Sequence, residues 1–132
     1  MIVLIESHGD LLFIEDLEKV LTTANHKKVG MIWDVTNMWI KTKEKPADVF
    51  TRLKKYIKHS HIKNAKLVDG KIQYTRLKEG EVPIFEAIDL LKSGGYNGYY
   101  SFEWEKLWHP ELEAPELAIA NYAEVMIDHF KN

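Results

Sequence analysis

Four short apolar segments each close on a side chain able to bind a metal ion. IVLIE ends at Glu6, VGMIWD ends at Asp34, HSHIKN carries His61, and GYYSFE ends at Glu103. Three carboxylates and one imidazole, without a thiolate, suit a hard or borderline divalent cation. One such ion is expected: Mn²⁺ or Mg²⁺ first, with Co²⁺ or Zn²⁺ also compatible. Each residue alone reads equally well as a polar strand end at a solvated rim. Taken together they argue for a single metal site, because three clustered carboxylates without a cation repel one another.

The elements that must position these residues alternate in type. Ile2–Glu6 is a continuous apolar run, as in a strand buried on both faces of a parallel sheet. Leu17, Val20, Leu21 and Ala24 follow at helical spacing, and Val29–Asp34 reads as the second strand. Pro46 suits a helical first turn, and Val49, Phe50, Leu53, Tyr56 and Ile57 form the stripe behind it. A third strand is expected at about His59–Lys63, followed by one loop with Asp69-Gly70 and another with Glu79-Gly80. Ile84, Ile88 and Leu91 mark a helix that Gly94-Gly95 ends. The fourth strand is expected at about Gly98–Glu103. Pro115 opens a last helix with Ile119, Tyr122, Ala123, Met126 and Phe130 on one face.

Strands alternating with helices give βαβ units and a parallel sheet. In a closed β/α barrel the active residues come from the C-terminal ends of several strands. Side chains alternate along a strand, so Glu6 shares a face with Leu4, Glu103 with Ser101, and His61 with His59 and Lys63. All four candidate donors can therefore point to one side. Val3, Ile5, Tyr100 and Phe102 have the opposite parity and suit packing on helices.

The 132 residues fit one domain, spanning 1–132, with 45% hydrophobic and 29% charged residues. A net charge of -2 offers no basic face for nucleic acid. The absence of cysteine excludes a disulfide frame. No run reaches the roughly 20 apolar residues of a membrane span, and MIVLIES lacks the basic start of a signal peptide. A cytoplasmic location is the default expectation, with no nucleic acid and no membrane as partner.

The same segments carry a family likeness. HSHIKNAK resembles the H-x-H-x-K-D strand of the xylose isomerase-like barrels, and GGYNGYYSFEWE resembles their last strand, with its Gly-Tyr-x-Gly turn and Glu-x-Glu end. WDVTN resembles the strand that ends in Asp with His or Asn three residues on. IESHGD resembles the strand that supplies the first Glu. The chain is thus similar to the sugar phosphate isomerase/epimerase group, which shares its fold with endonuclease IV. The resemblance implies an α/β fold, a parallel (βα)4 half of a TIM barrel matching only the last four of eight strands. A half barrel leaves two unpaired edges, an aggregation hazard. Either a longer protein supplies the missing N-terminal half, or two copies complete an eight-stranded barrel. The second case is an isologous homodimer in which the last strand of each chain lies near the first strand of the other.

The resemblance also implies roles. Glu6 and Glu103 match glutamates that flank a small sugar or polyol and move protons on and off carbon. The metal polarises the carbonyl, and the reaction runs through an enediolate. Isomerisation, epimerisation and dehydration remain open. Two other readings compete. One is a non-catalytic half-barrel fragment or scaffold. The other is a zinc-dependent endonuclease IV-like DNA repair enzyme, disfavoured by Asn37 where such enzymes carry His and by the lack of an Asp-x-His pair near Asp69.

Around the metal set, His8 shares the parity of Glu6 and is a candidate substrate contact, as are Asn37 and Lys63. Their bland alternatives are a loop histidine, a loop amide and a solvated lysine. Glu105 is expected outside the ligand set, and His59 as a hydrogen-bonded core residue. Trp33 and Trp104 suit core packing, while Trp39, Trp108 and the loop from Trp104 to Pro110 could wall a pocket. Lys54, Lys55 and Lys58 read as a solvated helix face. His26, His109 and His129 carry no functional expectation.

Overall fold

A computed structural model describes residues 1–131. Four strands form one parallel sheet in the order β1 (Val3–Glu6), β2 (Val29–Asp34), β3 (Ile57–Ile62) and β6 (Tyr100–Phe102). Helices α1 (Ile14–Ala24), α3 (Pro46–Leu53), α4 (Ile84–Ser93) and α5 (Pro115–Lys131) form the connections and the final layer. This is α/β architecture with the strand–helix alternation of half a TIM barrel.

The core lies on one face of the sheet. Met31 and Trp33 of β2 and Ile62 of β3 are buried beneath Leu17, Leu21, Val49, Leu53, Ile84, Ile88 and Leu91 from α1, α3 and α4. Residues of the opposite parity, Leu4, Ile32, His59, His61 and Ser101, are only half-buried. In a closed barrel that second face would be the interior; here it is open. The expected parity holds for Glu6, His61 and Ser101 on this face, but Asp34 and Lys63 are buried, and Val3, expected to pack on helices, is exposed.

Register links the strand ends. Glu6 pairs with Ile32, Asp34 with His61, and His61 with Ser101. Between β2 and β3 the register slips by one residue, so that Met31 meets Ile57 and Ile32 meets His59. Gly30 permits the close approach beside it: a Cβ there would lie 2.8 Å from the Tyr56 carbonyl oxygen.

Several expectations are corrected. The third strand begins at Ile57, earlier than expected, and β6 is only three residues long. A short helix, α2 (Val35–Thr42), follows Asp34 directly; its β-branched start, Val35-Thr36, gives no helical signal by propensity. The segment with Asp69-Gly70 is not a plain loop. It is an antiparallel hairpin, β4 (Asn64–Val68) and β5 (Lys71–Thr75). Asp69 (φ 50°) and Gly70 (φ 75°) form its two-residue turn, both in the left-handed region that such turns demand. In α5, Ile119 and Ala123 face solvent, and the core side is carried by Ala118, Val125 and Met126. Val20 of α1 is likewise exposed. Among the described residues, no helix is long and apolar enough to cross a membrane.

Candidate metal centre

Each of the four candidate donors sits at or just past the C-terminal end of a different parallel strand. Glu6 ends β1, Asp34 ends β2, and His61 is the penultimate residue of β3. Glu103 directly follows β6, its N–H donating to the Ile62 carbonyl at 3.1 Å. One donor atom from each can be chosen so that all four lie within 4.8 Å of one another. His61 Nδ1 is the hub, at 3.0 Å from Glu6 Oε1, 3.6 Å from Glu103 Oε1 and 3.9 Å from Asp34 Oδ2.

Asp34 is the most constrained member. It caps α2, its Oδ1 accepting the Asn37 N–H at 2.8 Å. The fully buried Ser7 fixes its backbone: the Asp34 N–H donates to Ser7 Oγ at 2.8 Å, and Ser7 Oγ donates to the Asp34 carbonyl at 3.2 Å. Nothing in the sequence beyond the polar Glu-Ser strand end signals this clamp. Asp34 Oδ2 is buried without a hydrogen-bond donor. Lys63 Nζ stands 2.9 Å away, in ion-pair contact with it. Burial pushes the Asp34 carboxyl up to about 6, although Lys63 pulls it the other way.

Lys63 is not solvated. It is 2% exposed, and its ammonium contacts Asp34, Glu103 and, at 2.8 Å, Glu105 Oε1. Burial alone would lower its pKa; the three carboxylates overcome that and raise it. Burial would raise the Glu103 carboxyl, but the Lys63 hydrogen bond and charge, with help from His61, hold it below the ordinary range. Glu105 lies outside the set of four, as expected, yet it is tied to that set through Lys63.

The remaining residues fall around this cluster. Asn37 donates from Nδ2 to the Ser7 carbonyl at 3.4 Å. His8, Asn37, Ile40, Lys41, Leu67 and Tyr74 line part of a groove of about 510 Å³ between the β1 end, α2 and the hairpin. His59 is half-buried and meets the His61 ring edge-on at 5.5 Å, rather than sitting hydrogen-bonded in the core. Trp33 is a core residue, and Trp104 stacks on Phe102 while its indole donates to the Glu113 carbonyl. Trp39 packs partly against the core under the Lys43 ammonium, and Trp108 is exposed. The Arg76–Glu113 pair and the Tyr74–His109 ring contact bind the hairpin to the loop after β6.

The donor set fits a divalent cation. It offers carboxylate oxygens and an imidazole nitrogen, and only one ammonium stands against four carboxylates. Net negative charge thus remains at the centre, and a metal would offset it.

A family model described as xylose isomerase-like TIM barrel matches residues 1–126. The chain belongs to that family, and it carries four of the parallel strands that define the fold. Among solved structures it is similar to a xylose isomerase domain protein from Planctomyces limnophilus (21% identity, TM-score 0.78, 98% of this chain and 45% of that one). It is also similar to the probable 3-DHS dehydratase AsbF involved in petrobactin synthesis from Bacillus anthracis (21%, TM-score 0.75, 100% and 50%). A third likeness is to 3-keto-D-glucoside 4-epimerase from E. coli (18%, TM-score 0.67, 99% and 46%). The chain spans about half the length of these proteins. No curated protein sequence matches it.

Proposed function

We propose that this chain carries the metal-binding half of a sugar isomerase or epimerase-like site, working on a small sugar or polyol by proton transfer next to a carbonyl. The observation that carries this reading is the convergence of Glu6, Asp34, His61 and Glu103, one from each parallel strand, to within 4.8 Å. Those four residues would hold one divalent ion, Mn²⁺ or Mg²⁺ by preference. The ion, when bound, supplies Lewis-acid polarisation of a carbonyl oxygen.

The chain's own residues do the rest. Glu6 and Glu103 lie on opposite sides of His61 and form the acid–base pair: one takes a proton from carbon, the other returns one. Glu103 suits the base role because Lys63 keeps it ionised. Glu6, 31% exposed at its side chain, can reach substrate from the open face. His8 and Asn37 line the adjoining groove and would hold substrate hydroxyls. The neighbours' titles name a dehydratase and an epimerase, so the class of bond change after proton removal is left open.

Chelator-stripped protein titrated with Mn²⁺ in a calorimeter tests the reading. About one site per chain, lost or greatly weakened in Glu103→Gln, is expected, with turnover on a panel of ketoses and their epimers to follow. The absence of binding would overturn it.

A second reading is favoured by the open sheet. Val3 on the β1 edge is 54% exposed, and Tyr99, beside β6, is 81% exposed. Four more strands are needed to close a barrel. A second copy of this chain, with its β6 beside β1 of the first, would supply them and complete the pocket. Light scattering that finds a stable monomer at micromolar concentration would count against the dimer.

A further inference from the structure

The acidic cluster has a cation of its own. An ammonium has three N–H donors, and Lys63 Nζ faces three carboxylates: Asp34, Glu103 and Glu105. Two of these belong to the candidate metal set. Glu103 gives Oε2 to Lys63 and turns Oε1 toward His61 Nδ1. Asp34 Oδ2 faces Lys63 Nζ at 2.9 Å and His61 Nδ1 at 3.9 Å. The same oxygen therefore looks both at the ammonium and at the centre of the cluster.

We infer that Lys63 is a resident counter-cation that competes with a bound divalent ion for Asp34 and Glu103, and so keeps that ion exchangeable. The inference rests on the metal reading above. It assigns Lys63 a role different from a substrate contact, because its ammonium is buried against carboxylates rather than facing the groove. Glu105, which gives no donor to the set of four, anchors the ammonium at this spot from the turn that follows β6.

Removing the Lys63 charge has two opposed effects. The repulsion between ammonium and metal disappears, which tightens binding. The carboxylates also lose a positioning partner, which loosens it. The first effect wins for a physical reason. Coulomb repulsion between close charges in a partly buried site is weakly screened. Positioning, by contrast, has other supports. Asp34 keeps its cap bond to Asn37 and its clamp to Ser7, and Glu103 keeps its backbone bond to Ile62.

The test is Mn²⁺ calorimetry and thermal melting on chelator-stripped wild type, Lys63→Met, Lys63→Gln and Lys63→Arg. The Met and Gln variants should bind Mn²⁺ about tenfold or more tightly than wild type, and should melt lower without metal. The Arg variant, which keeps the charge, should bind like wild type. A neutral variant that folds only with Mn²⁺ present also supports the inference. Neutral variants that bind no more tightly than a metal-binding wild type would overturn it while leaving the metal reading intact. A wild type that binds no Mn²⁺ would overturn the metal reading, and this inference with it.

Discussion

Glu6 Oε1 and His61 Nδ1 meet at 3.0 Å although their strands are not neighbours: β2 runs between them. The contact reaches over the end of β2, where Asp34 lies beneath. Three strand ends thus converge on one point above the sheet.

The Asp34 backbone depends on Ser7, and both partners are buried. Ser7→Ala removes an acceptor and a donor at once and leaves the buried Asp34 N–H unpaired. A stability loss of about 1–3 kcal/mol is expected in urea unfolding. Mn²⁺ affinity should fall by about 10-fold or more, as it does when residues that orient metal ligands are lost. Unchanged affinity with reduced stability would mean that the clamp serves folding alone.

Metal should stabilise the folded chain because the four donors come together only on folding. Saturation at 100 times the dissociation constant corresponds to about 2.7 kcal/mol, visible as a rise in Tm when Mn²⁺ is added to chelator-stripped protein. Asp34→Asn keeps the shape but removes the charge, and it should abolish most of that rise. A full rise in Asp34→Asn would place the ion elsewhere.

Tyr122 gives the chain an alkaline limit. Its hydroxyl donates to the Tyr100 carbonyl, its ring stacks on Phe102 at 4.6 Å, and burial pushes its pKa up to about 12. The folded pKa lies above the ordinary value of 10.0. The stabilisation is therefore complete below pH 10 and is lost as pH rises toward 12. Tyr122→Phe should be less stable at neutral pH by about 1 kcal/mol, yet should lose less stability than wild type between pH 10 and 12. Parallel pH profiles for the two proteins would contradict this.

The hairpin turn isolates a backbone effect. A Cβ at Gly70 meets nothing within 4 Å, so Gly70→Ala adds no clash, only the strain of φ 75°. A cost of about 1 kcal/mol is expected. Amide exchange should quicken in β4 and β5 while protection in β2 and β3 holds. Equal loss in both sheets would show that the hairpin does not open independently.

Much of this was legible in the sequence because it is local. Apolar runs and helical stripes located the four parallel strands. The period-2 alternation was consistent with Glu6, Asp34, His61 and Glu103 sharing one side, and the motif order gave the family; the strand register brought the four together. The hairpin was legible in principle through Asp69-Gly70, but Leu67, Val68 and Ile72 are exposed at its tip and give no clean inside-outside pattern. The face of α5 was read only in part, because apolar side chains lie on more than one side of it: Tyr122 and Met126 pack inward as expected, while Ile119, Ala123 and Phe130 are exposed. Only the side carrying Ala118, Val125 and Met126 finds the core.

What the sequence by itself determined is the identity and strand position of the four candidate donors, since strand ends and parity follow from short-range pattern. Only the tertiary structure decided the fate of Lys63. Its burial depends on Asp34, Glu103 and Glu105, 29, 40 and 42 positions away. A lysine is buried only where enough fixed carboxylates offset its desolvation, and no local pattern records where those will be.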